Sequence, residues 1–331
     1  MSTILVEARK DQRSAPALDL VAATCRSLGH DVFRWRGPFS GRVYYWPFLF
    51  PCDAAILFNG THDRYSQVIA SLRESRTPIL YMELGWHPQD GTIQIDPAGI
   101  NASTTWAQEP LEVVGSTPVV PRSDGDLLVL LQLDADTQVT KLSPYFRNMC
   151  EFVTHLCHHS RMPMRIRAHP LQPPTDEIRA LVSSVGAKWD SSPHLARALD
   201  GAKAVACLNS SGGVEAIARG LPVLCYAKSI FRHAGAAYCL TNDPAETIAA
   251  TTELAAGQSQ LTREAQRAAV ERIHGQQWPW NEIADRLPPM LSELLARNQG
   301  IDPAAGSFWS TYGRWLRDLP SMLFERAPKA A

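Results

Sequence analysis

Short apolar runs alternate with segments of helical periodicity along most of the chain. Ile4–Val6, Asp53–Phe58 and Pro78–Met82 are apolar runs bounded by polar or turn-forming residues, which predicts buried parallel strands. Pro16–Leu28 lies between the first two and repeats its apolar residues at helical spacing. Because strands and helices that alternate in this way build a doubly wound parallel sheet, we expect ligands to bind beyond the C-terminal ends of the strands.

A second alternation of the same kind begins near Ser143. Helices are predicted at Tyr145–His159 and Asp176–Val185, and strands at Met164–Arg167 and Lys203–Leu208. Two successive α/β units predict a GT-B-like arrangement, in which two Rossmann-like domains enclose the active site in a cleft. The predicted parts are an N-terminal acceptor and catalytic domain at 1–140, a C-terminal nucleotide-binding domain at 141–285, and C-terminal helices at 286–331.

Acidic residues stand at the ends of two predicted strands. Glu83 follows the run Pro78–Met82, and Asp134 and Asp136 follow the most apolar run, Leu127–Leu133. The two aspartates have two interpretations: they cap the next helix or turn, or they are catalytic carboxylates. Their shared sheet edge with Glu83 favours the second interpretation, because a pair of carboxylates is the usual equipment of glycosyl chemistry.

The segment Asn209–Gly213 predicts an anion site at the start of a helix. It links the strand Lys203–Leu208 to a predicted helix over Val214–Arg219. A helix N-terminus presents unpaired N–H groups and the positive end of the helix dipole, which suit a phosphate or a carboxylate. Ser210 and Ser211 add hydroxyl donors, and we expect the two glycines to let a ligand approach the backbone. An ordinary turn with an N-cap serine is the alternative.

The composition is that of a soluble globular protein. Of the 331 residues, 45% are hydrophobic and 20% are charged. The formal net charge of −1 argues against a general nucleic-acid binder. Three charged side chains within Met1–Lys10 argue against a signal peptide there, and no run approaches the roughly 20 apolar residues that a membrane span needs.

Cysteine usage indicates a reducing compartment. The seven cysteines form an odd and scattered set, which favours free thiols and a cytoplasmic location over a disulfide framework. A zinc site is one interpretation of four residues that are close in sequence, Cys150, Cys157, His158 and His159. They lack paired CxxC spacing and lie in a helical pattern, so we expect no metal there.

The C-terminal segment Phe308–Phe324 is aromatic, basic and amphipathic. It places Trp309, Tyr312 and Trp315 on one side, with arginines among them. Such a segment either lies on an anionic membrane surface, here the inner face of the plasma membrane, or packs back onto the first domain. We favour the packing interpretation.

Four short stretches follow one another in an order and rough spacing that is typical of one family. They are Glu83-Leu84-Gly85-Trp86-His87-Pro88, Gln132-Leu133-Asp134-Ala135-Asp136, Arg167-Ala168-His169-Pro170, and Ser210-Ser211-Gly212-Gly213-Val214-Glu215-Ala216 with Gly220-Leu221-Pro222-Val223. In this pattern the chain resembles the capsule polysaccharide biosynthesis proteins, the retaining β-Kdo glycosyltransferases of capsule and O-antigen assembly. The resemblance covers roughly residues 80–240.

The resemblance implies a GT-B-like fold, CMP-β-Kdo as the donor substrate, no further cofactor and no metal in the transfer step. It implies a double displacement in which Asp136, rather than Asp134, is the nucleophile and Glu83 is the general acid/base. It also implies that the CMP phosphate is held by His169 and the loop with Ser210, Ser211 and Gly212, and that Glu215 lies near the nucleotide sugar. A glycan or glycolipid is the implied acceptor.

Two positions depart from the family pattern. Many capsule members carry two acids before the glycine, whereas this chain has Glu83-Leu84-Gly85. Many members carry a lysine two residues before the His-Pro pair, and here the residue is Arg167, which keeps the charge but changes its geometry. The carboxylate of Kdo itself needs a cation. Arg9, Arg167 and Lys141 are the candidates, and the sequence does not rank them.

Two other functions stay open at this point. One is a GT-B transferase that uses another nucleotide sugar, such as CMP-sialic acid or a UDP-sugar. The other is a non-catalytic partner in polysaccharide assembly or export, against which the intact set Glu83, Asp134, Asp136 and His169 argues.

Overall fold

A computed structural model describes residues 1–36 and 52–298. The chain forms two compact units. Unit 1 contains Met1–Ile100 and the described residues from Trp278 onward, and unit 2 contains Asn101–Gln277. The predicted amphipathic segment Phe308–Phe324 lies outside the described residues. Among the helices that are described, none combines the length and the apolar character that crossing a membrane requires.

Within the described ranges, the chain contains twelve strands and ten α-helices. The strands are β1 (Thr3–Ala8), β2 (Asp31–Arg36), β3 (Ala54–Phe58), β4 (Ile79–Leu84), β5 (Thr92–Asp96), β6 (Asp126–Leu130), β7 (Met164–Arg167), β8 (Lys188–Trp189), β9 (Ala202–Cys207), β10 (Val223–Cys225), β11 (Tyr238–Cys239) and β12 (Trp278–Pro279). The helices are α1 (Ala15–Ser27), α2 (Ser66–Glu74), α3 (Thr137–Thr140), α4 (Met149–His159), α5 (Asp176–Ser184), α6 (Leu195–Asp200), α7 (Ser211–Ala218), α8 (Pro244–Ala255), α9 (Arg263–Gln276) and α10 (Ile283–Asn298). These counts refer to the described ranges.

The sheet of unit 1 has the strand order β12-β5-β4-β3-β1-β2. Pairing is parallel from β4 to β2, and antiparallel between β4 and β5 and between β5 and β12. The chain goes from β1 to β2 on one side and then to β3 on the other. The strand order therefore reverses at β1, and the C-terminal end of β1 lies at a switch point where α/β sheets bind ligands.

Two apolar layers cover the sheet of unit 1. On one face, side chains of β1, β3 and β4 pack with α1 and with α10, which contributes the fully buried Leu287 and Leu291. On the other face, Tyr65 and the apolar side of α2 pack against Leu5, Leu57 and other strand residues. Neighbouring residues of each strand thus enter different layers, as the alternation of a strand with both faces covered requires.

The sheet of unit 2 has the strand order β11-β10-β9-β6-β7-β8, and every pair is parallel. Its largest core cluster includes Val129 of β6, Phe152 of α4 and Tyr226, all buried. The strand order reverses at β6, because the chain goes first to β7 and β8 on one side and then to β9 on the other. Unit 2 therefore has its own switch point at the C-terminal end of β6.

The observed division of the chain differs from the predicted boundaries at 140 and 285. β6 belongs to the sheet of unit 2, because it pairs with β7 and β9. At the other end, β12 pairs with β5 and α10 packs with α1, so the described residues after Gln277 belong to unit 1. The predicted boundary followed a break in sequence pattern, whereas strand pairing and shared apolar cores decide membership of a unit.

Candidate functional site

The loops that follow three neighbouring strands build the candidate site of unit 2. β9, β6 and β7 lie side by side and run parallel, so their C-terminal ends share one edge of the sheet. Asp134 and Asp136 follow β6, His169 follows β7 and Ser210 follows β9. The structure therefore brings four of the predicted site residues to the switch point of this sheet.

A buried pair of amides ties two of these loops together. The Nε2 of Gln132 donates to the Oδ1 of Asn209 at 2.9 Å, and the backbone N–H of Asn209 donates to the Oε1 of Gln132 at 3.1 Å. Asn209 also donates to the carbonyl oxygens of Gln138 and Lys228. Neither amide was assigned to the site from the sequence. Their signal was a polar residue at the end of an apolar run, where a buried amide must find partners.

Asp134 is bound within the protein through both carboxylate oxygens. Its Oδ1 accepts the backbone N–H of Met149 at 2.7 Å, and its Oδ2 accepts the side-chain N–H of Gln172 at 2.9 Å. The Oε1 of Gln172 in turn accepts the backbone N–H of Asp134 at 3.2 Å. Asp134 thus ties the end of β6 to the start of α4 and to the loop after β7, which is a structural role.

Asp136 is the N-cap of the short helix α3 and uses only one oxygen for this purpose. Its Oδ1 accepts the backbone N–H of Gln138 at 2.9 Å. Its Oδ2 accepts no hydrogen bond from the described residues. Asp136 is half-buried, so its carboxylate is both oriented by the cap and able to contact a ligand. This difference from Asp134 supports the choice of Asp136 as the nucleophile, which stays a prediction.

His169 presents one donor toward a ligand. Its Nδ1 accepts the backbone N–H of Leu171 at 3.2 Å, so in the neutral ring the proton is on Nε2. Burial lowers the pKa of His169, and the negative charge of Asp136 opposes this shift. At neutral pH the imidazole is therefore a neutral Nε2–H donor near the carboxylate of Asp136.

Arg167 is held by an ion pair. Its Nη1 donates to the buried carboxylate of Asp190 and to the carbonyl of Ser192. Arg165 binds the same carboxylate at 2.6 Å. Burial opposes ionisation of Asp190, but hydrogen bonds from Ser192, Arg167 and Arg165 outweigh it and lower the pKa of Asp190. Much of the charge of Arg167 is thus neutralised, and its predicted contact with the donor stays a prediction.

The loop after β9 is shorter than predicted, because α7 begins at Ser211 and not at Val214. Ser210 is the N-cap: its Oγ accepts the N–H of Gly212 at 3.2 Å, and its carbonyl accepts the N–H of Gly213 at 2.8 Å. The hydroxyl proton of Ser210 and the backbone N–H of Ser211 have no partner in this cap. Ser210 is thus the N-cap that one interpretation of the sequence predicts, and its free hydroxyl proton also fits the other interpretation, an anion site.

The two glycines of this loop serve packing, which corrects their predicted role. A Cβ on Gly212 would lie 2.8 Å from the Leu130 side chain, and a Cβ on Gly213 would lie 2.5 Å from the ring of Phe231. Both glycines are buried, and the N–H of Gly212 is already used by the cap. Gly212 is therefore needed for the close approach of α7 to β6, and not to open the backbone to a ligand.

Glu215 lies one turn into α7 and is half-buried. Its Oε1 accepts from the Nη2 of Arg219 at 3.1 Å, and Arg219 also contacts Asp200 at 3.0 Å. The structure thus places Glu215 on the first helix after the anion loop but gives it an internal partner. Its predicted position near the nucleotide sugar is untested.

Glu83 is a half-buried residue of β4 in unit 1. Its Oε1 accepts the backbone N–H of Leu84 at 2.9 Å. Along β4, Met82 and Leu84 enter the α1 side of the sheet, so Glu83 points to the opposite face with Tyr81 and Tyr65. Glu83 lies at the C-terminal end of β4 as predicted, but the predicted sheet edge shared with Asp134 and Asp136 is wrong, because β6 pairs with β7 and β9 in the other sheet. The role of Glu83 as acid/base stays a prediction.

Glu7 is a buried carboxyl at the switch point of unit 1, and it was not among the predicted site residues. It is 1% exposed, and its Oε2 accepts the N–H of Phe58 at 2.9 Å. The hydroxyl of Tyr65 lies 2.8 Å from the Oε1 of Glu7 and 2.9 Å from the carbonyl oxygen of Phe58. Burial raises the pKa of Glu7 to about 7, against hydrogen bonds from Tyr65 and Phe58 and the charge of Arg9. An acid directly after an apolar strand was its signal in the sequence.

The described residues offer no ready metal site. Within residues 1–36 and 52–298, no three His, Cys, Asp or Glu side chains lie close enough together to hold an ion. The seven cysteines are all free, and burial raises the pKa of the Cys157 thiol to about 11.

Residues 114–271 match the model of a protein family described as capsule polysaccharide biosynthesis protein. The matched region covers just under half of the chain. The match confirms the family resemblance. It includes Asp136, His169 and the Ser210 loop, whereas Glu83 lies outside it. No curated protein sequence matches the chain significantly.

Three solved structures resemble the whole chain. Thermosulfurimonas dismutans KpsC, beta Kdo 2,7 transferase, has a TM-score of 0.50 at 14% identity and covers 88% of this chain and 99% of its own. Thermosulfurimonas dismutans KpsC, beta Kdo 2,4 transferase, has a TM-score of 0.46 at 16% identity, with 89% and 98% covered. Acinetobacter baumannii MurG has a TM-score of 0.40 at 14% identity, with 86% and 98% covered.

The first of these structures supports the fold and not a shared activity, because its identity to this chain is low. With the two mostly parallel sheets of the chain, it confirms the predicted α/β fold of GT-B type.

Proposed function

We propose that this protein is a retaining β-Kdo glycosyltransferase of bacterial surface polysaccharide biosynthesis. It transfers Kdo from CMP-β-Kdo to a saccharide or lipid-linked acceptor. The observation that carries the proposal is Asp136, a capped carboxylate with an unbonded Oδ2 at the switch point of unit 2. A carboxylate beside the donors of His169 and α7 suits a displacement at a nucleotide sugar.

The leaving group of the donor is a phosphate, which needs hydrogen-bond donors as its charge develops. The Nε2–H of His169, the hydroxyl of Ser210 and the backbone N–H of Ser211 are such donors at this edge of the sheet. The N-terminus of α7 adds the positive end of its dipole. Donors that are already fixed stabilise the departing CMP without reorganisation, which is the most effective form of electrostatic catalysis.

In the first displacement the Oδ2 of Asp136 attacks the anomeric carbon of Kdo. The bond between that carbon and the CMP phosphate oxygen breaks, and CMP leaves with the electron pair. The product of this step is a Kdo ester of Asp136 and has inverted configuration. The bond from Gln138 to Oδ1 holds the carboxylate during the attack and leaves the second oxygen unobstructed.

In the second displacement an acceptor hydroxyl attacks the same carbon. Its proton passes to Glu83, the ester bond breaks, and the carboxylate of Asp136 is regenerated. The two inversions together retain the β configuration. Arg9, Arg167 and Lys141 stay candidates for the Kdo carboxylate. Asp11 contacts Arg9 at 3.0 Å and Asp190 binds Arg167, so each of these arginines shares its charge with an internal acid.

The test is the mass of the intact protein after incubation with CMP-Kdo that is generated in situ. Wild type should gain the mass of one Kdo residue, and Asp136→Asn should not, because its amide is not a nucleophile. Asp134→Asn is the matched control. It changes the neighbouring aspartate in the same way, and its folded fraction should still form the adduct.

Three outcomes would count against the proposal. An adduct on Asp136→Asn would remove Asp136 as the nucleophile. Loss of the adduct from Asp134→Asn alone would transfer the role to Asp134. Protection of wild type against thermal unfolding by UDP but not by CMP would overturn the donor, since a ligand stabilises only a protein that binds it.

A further inference from the structure

A cleft of about 610 Å³ lies in unit 2 on the edge of the sheet opposite the candidate site. Its walls come from the segment 120–122 before β6, from 217–222 at the end of α7 and before β10, and from one face of α9. Because the strands are parallel, the start of β6 and β10 is the far edge from Asp136 and Ser210. The cleft is therefore not part of the site described above.

Four arginines and one glutamate line the cleft, together with apolar residues. The arginines are Arg122, Arg219, Arg263 and Arg267, and the acid is Glu271. An excess of guanidinium groups around a concave surface selects for an anionic ligand, because each can bind a carboxylate or phosphate through two hydrogen bonds.

The two walls differ in how their arginines are held. Arg122 donates to the carbonyl groups of Leu199 and Asp200. Arg219 on the same wall contacts Asp200 at 3.0 Å. Within the described part of the chain, Arg263 and Arg267 make no salt bridge and no side-chain hydrogen bond. They lie one turn apart on α9 and are both exposed, so a ligand can reach both guanidinium groups. Hydrogen bonds from Thr117 lower the pKa of Glu264 on the same helix, and the charge of Arg267 adds to this shift.

Gln266 adds a polar acceptor to the same lining. It is 2% exposed, and its Nε2 donates to the carbonyl oxygen of Leu221 at 2.9 Å. Its Oε1 is buried and has no hydrogen-bond donor among the described residues. A buried acceptor without a donor is costly, and a ligand hydroxyl group is the donor that would satisfy it.

We propose that this cleft binds an acidic saccharide, a glycan whose sugars carry carboxylate groups. The arginines can pair with the several charges of an extended ligand. The unsatisfied Oε1 of Gln266 can accept a hydrogen bond from a ligand hydroxyl group. The side chains of Ile217, Leu221 and Val270 can pack against the apolar faces of sugar rings. The link between this ligand and a Kdo-bearing glycan rests on the proposed function, in which that glycan is made at the opposite edge of the sheet. The cleft would then hold the glycan that the enzyme elongates.

The experiment is calorimetric titration of the full chain with oligogalacturonate, which carries a carboxylate on each sugar. A neutral malto-oligosaccharide of the same length is the control ligand. Wild type should bind the first and not the second. The double variant Arg263→Gln and Arg267→Gln should bind at least about tenfold more weakly, because it loses two charge-assisted contacts. Glu271→Gln should bind more tightly, because it removes the acid from the lining.

A second double variant controls for net charge. Arg26→Gln and Arg73→Gln removes two exposed arginines from helices of unit 1, and it should bind oligogalacturonate as wild type does. Equal weakening in both double variants would mean non-specific attraction and would overturn the proposal. So would failure of wild type to bind. Binding of phosphatidylglycerol vesicles but not of oligogalacturonate, lost with the α9 pair, would assign the cleft to a lipid headgroup instead.

The Kdo mass increment separates this proposal from the proposed function. The α9 double variant should still form the adduct, because its arginines lie away from Asp136. Oligogalacturonate binding without any adduct in wild type would leave the cleft in place and remove the transferase mechanism. An adduct without oligogalacturonate binding would support the transferase mechanism and overturn the proposed ligand of the cleft.

Discussion

The two aspartates after β6 differ in how many of their carboxylate oxygens the protein already uses. Asp134 accepts hydrogen bonds through both oxygens, and Asp136 accepts through Oδ1 only. The first carboxylate therefore holds the loop, and the second is oriented by a cap and retains an oxygen for chemistry. The same side chain two positions apart thus differs in how fully the protein satisfies its oxygens.

This difference predicts unequal effects of the same substitution on stability. Asp134→Asn should lower the temperature of an unfolding transition by about 2–8 °C, since an amide has one acceptor oxygen for the two partly buried donors that Asp134 accepts from. Asp136→Asn should change it by less than about 2 °C, because asparagine is as good an N-cap as aspartate. Differential scanning calorimetry measures both. Equal shifts in the two variants would contradict the assignment of roles.

The hydrogen bonds around Glu7 are compatible with a neutral carboxyl group. The Tyr65 hydroxyl has two oxygen neighbours, Glu7 Oε1 and Phe58 O, but only one proton. If the hydroxyl donates to Phe58, it must accept from Glu7, which requires a neutral carboxyl. Burial favours the same form and raises the pKa of Glu7 to about 7.

The stability of the protein should therefore fall as pH rises through this pKa. The folded state holds a proton on Glu7 up to about pH 7, whereas the unfolded chain loses it near its ordinary pKa of 4.5. The folded state binds more protons in that window, so the contribution of Glu7 is complete below about pH 4.5 and is lost as pH approaches 7.

Glu7→Gln tests this sign. Its amide can accept from Phe58 and donate to Tyr65, as the neutral acid does, and it does not titrate. From pH 5 to 8, wild type should lose about 1–3 kcal/mol of unfolding free energy relative to Glu7→Gln. Thermal unfolding across this pH range is the measurement, with the exposed Asp31→Asn as control. A constant difference between wild type and Glu7→Gln would show that Glu7 does not titrate there.

At the scale of elements, α7 lies close to its neighbours because it begins with glycines. Gly212 and Gly213 leave room for Leu130 of β6 and for the Phe231 ring. The Gln132–Asn209 pair joins the ends of β6 and β9 just before this helix. The position of the N-terminal end of α7 is thus set by packing on one side and by buried amides on the other.

Alanine substitutions at two helical glycines should have opposite effects. Gly213→Ala places a Cβ 2.5 Å from the ring of Phe231 and should destabilise by about 1–3 kcal/mol, despite the better helix propensity of alanine. Gly275→Ala in α9 meets nothing within 4 Å and should stabilise by about 0.5–1 kcal/mol. Chemical denaturation measures both. Stabilisation by Gly213→Ala would remove the packing explanation.

At the scale of the whole molecule, each unit has its own apolar cores. One core of unit 1 joins α1 to α10, with Leu287 fully buried, and the largest core of unit 2 includes Leu254 of α8, also fully buried. Unit 1 is completed only when the chain returns through β12 and α10. Its folding therefore depends on segments that are nearly two hundred residues apart.

A cavity in either core should weaken one unit selectively. Leu287→Ala should cost about 2–5 kcal/mol and increase amide hydrogen exchange in β1 and β4 of unit 1. Leu254→Ala should do the same for β6 and β9 of unit 2. Amide hydrogen exchange measured by mass spectrometry distinguishes the strands of unit 1 from those of unit 2. An equal increase in both units from either variant would show that the cores do not unfold separately.

The periodicity of the sequence located most of the helices and strands. β7 occupies Met164–Arg167 as predicted, and α1 and α5 begin and end within a residue of their predicted positions. β11 and β12 were missed, because strands of two residues are too short to show any alternation. Helix α7 begins three residues earlier than predicted, because the glycines that suggested a loop are packing residues.

The sequence by itself determined the order of the strands along the chain and the residues at their ends, because apolar periodicity and caps depend on neighbours in sequence. It therefore identified Asp134, Asp136, His169 and Ser210 as residues at strand ends, but it assigned the two aspartates to the sheet edge of Glu83, and only strand pairing showed that all four share one edge of the unit 2 sheet. Only the tertiary structure decided which oxygens stay available to a ligand, why Gly212 and Gly213 are glycines, and where the units divide. These properties depend on contacts between residues far apart in the chain, which no local pattern encodes.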